Sequence, residues 1–146
     1  MPSQFDKDKV YLRIAREASK LSKDNKAKIG AVLISNNRIV GVGVNGYPSG
    51  YDDNNLEHKH DKVIHAEINA LLNYTGDRDK LDIMYIYGLP PCPECMKFIA
   101  TTGISTVVFK SNDTVRSKQE WLDIHKAVAH IHHRIRFIEY KGELDE

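Results

Sequence analysis

The chain has 146 residues, 41% hydrophobic and 28% charged, with a formal net charge of +1, which suits one ordinary domain over residues 1–146 with its own core. So small a net charge gives no overall field to attract nucleic acid or an anionic membrane, and no run nears the ~18 apolar residues of a membrane span. Two cysteines cannot build a disulfide framework, and the charged start "MPSQFDKDKVYLRIARE" lacks a signal-peptide core, so a soluble protein of a reducing, cytoplasmic compartment is expected.

From Phe5 to about Lys23, Val10, Ile14, Ala18 and Leu21 recur at three- and four-residue steps among charges and predict an amphipathic helix with these as its apolar stripe. Two β-branched runs follow, Ile29 to Ile34 and Ile39 to Val44, around a hairpin turn at Asn36-Asn37. The polar stretch "YPSGYDDNNLEHKHDK" is a loop. "VIHAEINALLNY" predicts a helix whose stripe is Ile64, Ile68, Leu71 and Leu72, ending before Gly76. "DIMYIYGL" reads as a buried strand, "CPECMKFIATTG" as a short helix stopping at Gly103, and "ISTVVFK" as another strand. Residues 118–130 predict a fourth helix, with Trp121 and Ile124 as core, and "RIRFIEY" alternates like a last strand. This order gives an α/β sandwich whose strand-helix-strand crossovers form a largely parallel part beside the opening hairpin.

The chemistry concentrates in "PPCPEC", which holds both cysteines, Cys92 and Cys95. Three apart on a first helical turn they share a face, and a helix N-terminus favours their ionised form. Pro91 and Pro93 suit such an entry, where a missing N–H costs little. A catalytic zinc takes three protein ligands and leaves one position open, and Cys₂His is a known set. His65 opens the helix "HAEINALL" and supplies the third ligand, with the carboxylate of Glu67 two residues on. In mid-helix those two would point apart, but a cap residue has non-helical angles and lets them converge. That sets a general acid/base beside an activated water. The competing readings are a redox dithiol, which has no use for His65 and Glu67, and a structural zinc, for which no fourth ligand stands out.

His65-Ala66-Glu67 followed 27 residues after His65 by Cys92, in Pro91-Cys92-x-x-Cys95, matches the H-x-E…P-C-x-x-C signature of zinc-dependent nucleobase deaminases. With "IGAVLISNNRIVGVGVNGYPSG", "IHAEINALL" and "PPCPECMKFIATTGISTVVF" around it, the chain from about Ile29 to Asp113 closely resembles the deoxycytidylate (dCMP) deaminases of the cytidine deaminase superfamily. The family's H-A-E-x-N-A stands here as His65, Ala66, Glu67, Asn69 and Ala70, and its N-G-x-P-x-G loop as Asn45, Gly46, Pro48 and Gly50.

The resemblance implies a three-layer α/β/α sandwich around a mixed five-stranded sheet, and one Zn²⁺ per chain on His65, Cys92 and Cys95. By the same resemblance Glu67 shuttles protons as water attacks C4 of the pyrimidine, which turns dCMP into dUMP and ammonia and supplies dUMP for thymidylate synthesis. The Ala66 backbone N–H would hold the pyrimidine carbonyl and Asn45 the sugar. The turn Gly46-Tyr47-Pro48-Ser49-Gly50, through Ser49 and Gly50, offers N–H groups suited to an anion, and Lys26 or Lys28 is a candidate for the phosphate. Many family members are hexamers switched by dCTP and dTTP with Mg²⁺ at the Asn45–Gly50 loop, so a homo-oligomer and such effectors are implied. The tRNA adenosine deaminases share the zinc motifs and form the alternative, with other small cytosine nucleosides or nucleotides. The 20 residues between Asn45 and His65 and the near-neutral charge favour the free nucleotide, without nucleic acid as a partner.

The sequence departs from the family in having Val44, where an aromatic is common, and in a short 51–64 segment without the cysteines of a second, structural zinc. His58 and His60, and the run His130, His132, His133, Arg134 and Arg136, read as solvated charge rather than as sites. Tyr85 and Tyr87 read as packing residues.

Overall fold

The computed structural model describes residues 2–24, 27–47, 63–112, 123, 126 and 134–145. Its elements are helix α1 (Gln4–Ser19), strands β1 (Gly30–Ser35) and β2 (Arg38–Val44), and helix α2 (Ala66–Asn73). A 3₁₀ turn (Arg78–Lys80), strand β3 (Ile83–Gly88), helix α3 (Pro93–Ile99), and strands β4 (Thr106–Ser111) and β5 (Arg136–Glu139) complete them. The sheet order is β2-β1-β3-β4-β5. β1 runs antiparallel to both β2 and β3, whereas β3, β4 and β5 are parallel. This is the expected mixed five-stranded sheet. Asn36 and Asn37 have φ of 51° and 61°, so the hairpin uses a left-handed turn that matches strand twist and that Asn tolerates.

Side chains alternate across the sheet and separate two cores. Leu12, Ala15, Val32, Ile34, Tyr85 and Val108 pack under α1. On the other face Ala31, Leu33, Met84, Ile86, Val107 and Phe109 meet Ala66, Ala70, Met96 and Ile99 of α2 and α3. Adjacent residues of β1, β3 and β4 thus serve opposite faces, as the period of two requires.

Both predicted helix stripes are displaced, for one physical reason. In α1 the buried face is Asp8, Leu12, Ala15 and Ser19, while Val10 and Leu21 of the expected stripe are 53% and 77% exposed. A Cβ on Gly30 would lie 2.0 Å from the Ala15 carbonyl oxygen, so the helix backbone sits on β1 through small residues. Asp8 tolerates burial because the Tyr85 hydroxyl (2.5 Å) and the Gln4 amide (2.8 Å) both donate to Oδ1. In α2 the buried set is Ala66, Glu67, Ala70 and Leu71, and Leu72 is exposed. A Cβ on Gly43 would meet the Ala70 nitrogen at 2.2 Å, so again a glycine in the strand and alanines on the helix set the contact. Close backbone approach outranks apolar periodicity in both layers.

One further contact ties a loop to this frame. Arg134 donates to the carbonyls of Ala100, Thr102 (3.0 Å) and Ile104 (3.3 Å), which closes the C-terminal end of α3. Tyr85 lies wholly buried on the α1 face, so it packs, as expected, and lines no site on the opposite side. Of residues 118–130 only Asp123 and Lys126 are described, both helical. Trp121, Ile124, His58, His60, His130, His132 and His133 lie outside the described residues.

Candidate active site

The site forms where the leading ends of α2 and α3 meet on one face of the sheet. At the end of β2, Gly46 and Ile64 exchange two backbone hydrogen bonds (3.0 and 2.7 Å). This bridge sets His65 next to Asn45. His65 is the N-cap of α2, with extended φ −67° and ψ 152°, the cap conformation that lets it turn toward α3. Cys92 is the N-cap of α3, before Pro93, and its Sγ accepts the Cys95 N–H at 3.4 Å. His65 Nδ1 then lies 3.2 Å from Cys95 Sγ and 3.5 Å from Cys92 Sγ. All three ligand atoms fall within 4.8 Å of one another.

These separations suit zinc. Bond lengths of about 2.3 Å to sulfur and 2.0 Å to nitrogen at tetrahedral angles require N-to-S edges of about 3.5 Å. Cys95 is buried, Cys92 half-buried and His65 exposed, so the set opens outward, as a centre with a vacant fourth position must. The thiols carry an asymmetric charge. Cys92 is held down at about 4, chiefly by the hydrogen bond from Cys95 and also by His65, against the burial that opposes it. Cys95 is pushed far up by that same bond, by burial and by the Glu67 charge. A cation entering this set expels the remaining thiol proton.

Glu67 is 4% exposed, and burial pushes its carboxyl up against the opposing pull of its own backbone amide and of His65. A buried carboxyl whose hold on a proton is strengthened beside a candidate metal set is a candidate for moving protons. Ala66 is the first helical residue, wholly buried, and its amide has no acceptor within the helix.

The other expected contacts are distributed differently. Asn45 is buried and its amide is engaged by the chain: Oδ1 accepts the Ile29 N–H (3.0 Å) and Nδ2 donates to the Ala27 carbonyl (2.7 Å). Asn45 therefore holds the approach to β1, and a sugar contact has its second Nδ2 hydrogen and the second lone pair of Oδ1 to use. The Lys28 ammonium donates to the Ser22 carbonyl, which answers its charge locally rather than in the site. Lys26, Pro48, Ser49 and Gly50 lie outside the described residues, and of the predicted anion turn only Gly46 and Tyr47 are described.

Two supporting residues were given no role from the sequence, although Asn69 stands in the H-A-E-x-N-A motif. Asn69 and Asn73 on α2 donate to the carbonyls of Val44 (2.7 Å) and Val42 (3.0 Å). Their four-residue spacing, which sets both on one helix face, and the motif position of Asn69 are the cues the sequence offers.

Residues 5–111 match the model of the cytidine and deoxycytidylate deaminase zinc-binding region. The chain belongs to this deaminase family. It is 37% identical to human deoxycytidylate deaminase over 113 residues, which is 70% of this chain and 63% of that protein; the chain thus spans under two thirds of that relative. It is 31% identical to deoxycytidylate deaminase of Mycobacterium phage D29 over 124 residues, 73% of this chain and 96% of that one. The crystal structure of dCMP deaminase from cyanophage S-TIM5, in complex with dCMP and dUMP, superposes with a TM-score of 0.74 at 25% identity. It covers 95% of this chain and 98% of that chain. The three-layer sheet is therefore the cytidine-deaminase-like fold.

Proposed function

We propose that this chain deaminates dCMP hydrolytically: water adds at C4 of the pyrimidine, the C4–N bond breaks, and the products are dUMP and ammonia. The observation that carries the reading is the convergence of His65, Cys92 and Cys95 around one point with buried Glu67 beside them. Deoxycytidylate deaminases among the relatives support the choice of substrate. So does the dCMP and dUMP complex of the cyanophage enzyme.

Zinc held by the three side chains supplies a Lewis acid and a water acidic enough to react near neutral pH. The remaining work falls to the chain. Glu67 takes a proton from the attacking water and delivers it to N3, then takes the proton of the resulting C4 hydroxyl and passes it to the departing amine, which leaves the C4 carbonyl of dUMP. Burial strengthens its hold on a proton, which favours taking one from the water. The Ala66 N–H donates to the pyrimidine carbonyl and fixes which ring face meets the water. Asn45 shapes the sugar side through residues 27–29.

The same reading makes the product a source of dUMP for thymidylate synthesis in the cytoplasm. It makes the working form a homo-oligomer, a hexamer by family resemblance, with dCTP and dTTP acting with Mg²⁺ at the loop from Asn45 to Gly50. Its support is the Asn-Gly-x-Pro-x-Gly sequence of that loop. The test is ammonia release by zinc-loaded protein from dCMP, deoxycytidine, CMP and an adenosine-bearing tRNA anticodon stem-loop, with and without dCTP. Turnover of dCMP at least tenfold above the others is expected. Release from the RNA with none from dCMP would overturn the proposal.

A further inference from the structure

We infer that Asn69 is a positioning residue for this reaction, registering the catalytic end of α2 against the open edge of β2 beside Asn45. The inference rests on the deaminase reading above. Among the described residues β2 is an outer strand with β1 as its one strand neighbour, so its outward carbonyls need other donors. Asn69 and Asn73 supply them to Val44 and Val42. Four residues of helix advance about 6 Å and two residues of strand about 6.8 Å, so the two side chains form parallel rungs between helix and strand. With both rungs in place α2 cannot slide along β2 or roll on it.

The two rungs are chemically alike but differ in what they hold. The Asn69 backbone N–H donates to the His65 carbonyl at 3.0 Å, so a single residue grips both the cap that carries a ligand and the strand. On the strand side its acceptor, Val44, adjoins Asn45, whose amide is bonded to Ala27 and Ile29. A continuous hydrogen-bonded path therefore runs from residues 27–29 through Asn45 and Val44 to Asn69, and on to His65 with Glu67 beyond it. Asn73 stands one turn further from the site, is exposed, and reaches Val42. Asn is a poor helix former because its amide competes with the backbone. Here that amide is turned to a carbonyl outside the helix. Displacements of about 1 Å at reacting groups suffice for losses of 10²-fold, which is the scale on which such a rung acts.

The matched pair of rungs supplies the control. Asn69→Ala and Asn73→Ala would be compared, zinc-loaded, for thermal unfolding midpoint, zinc content, and kcat and KM on dCMP. The expected result is a similar fall in the midpoint for both, full zinc in both, and kcat at least tenfold lower in Asn69→Ala alone, with Asn73→Ala within twofold of the parent. Equal kcat in the two variants would overturn the inference. Should Asn69→Ala not fold, Asn69→Gln replaces it. That variant keeps the donor one methylene further out, so a reduced kcat is expected and a full kcat overturns the inference. If the parent protein itself leaves dCMP untouched, the deaminase reading fails. Cobalt(II) absorption then decides the inference: Asn69→Ala shifts the thiolate-to-cobalt bands and Asn73→Ala does not, whereas identical spectra overturn it.

Discussion

Among the described residues each face of the sheet buries one carboxylate, and the two have opposite fates. Asp8, under α1, is 9% exposed and accepts hydrogen bonds from the Tyr85 hydroxyl and the Gln4 amide. Glu67, under α2, is 4% exposed, and the groups around it are His65, Cys92 and Cys95. A buried carboxylate supplied with neutral donors ties elements together. One buried beside the candidate metal-ligating groups has its carboxyl pushed up by burial, so its hold on a proton is set by the site around it. Burial by itself therefore does not distinguish a structural acid from a chemical one; the partners do.

The comparison can be broken at several points. Cys95→Ala removes a buried candidate ligand of a three-ligand set, and the expected outcome is zinc below about one tenth of an equivalent by elemental analysis, with activity lost in parallel. Gly43→Ala drives a methyl to 2.2 Å from the Ala70 nitrogen and lifts α2 off the sheet. A loss of about 3 kcal/mol in urea unfolding is expected, together with loss of turnover. On the α1 face, Tyr85→Phe removes the shorter donor to Asp8 and is expected to lower stability by about 1 to 3 kcal/mol while zinc content and kcat stay unchanged.

A smaller effect has a sign that follows from linkage. Burial raises the folded-state pKa of Glu67 above its ordinary value, so its contribution to stability is greatest at low pH and is lost as pH rises through the raised value. In metal-free protein, Glu67→Gln removes that dependence. The expected gain is about 1 kcal/mol at pH 8 and less at pH 5, read by thermal unfolding at both pH values in the presence of a chelator. A variant less stable than the parent at pH 8 would contradict the assignment of burial as the dominant influence.

Much of the site was legible from residue order because helix caps have local signatures. His65 before Ala66 and Cys92 before Pro93 mark two helix starts, and both stand as N-caps. The Asn36-Asn37 turn was readable for the same reason, since few residues accept a left-handed backbone. The buried helix faces were not, because they depend on Gly30 and Gly43 lying across from Ala15 and Ala70, contacts that no local period encodes. Lys28 and Arg134 show the same limit for charge. One donates to the Ser22 carbonyl and the other closes α3, and their roles depend on which carbonyls the fold brings within reach.

The most direct test of the contrast between the two faces is kcat on dCMP for zinc-loaded Glu67→Gln and Asp8→Asn, measured side by side with bound zinc. The account predicts one zinc per chain in both, a fall of about 10²- to 10⁴-fold for Glu67→Gln, and kcat within twofold of the parent for Asp8→Asn. Comparable losses in the two variants, or an active Glu67→Gln, would contradict it.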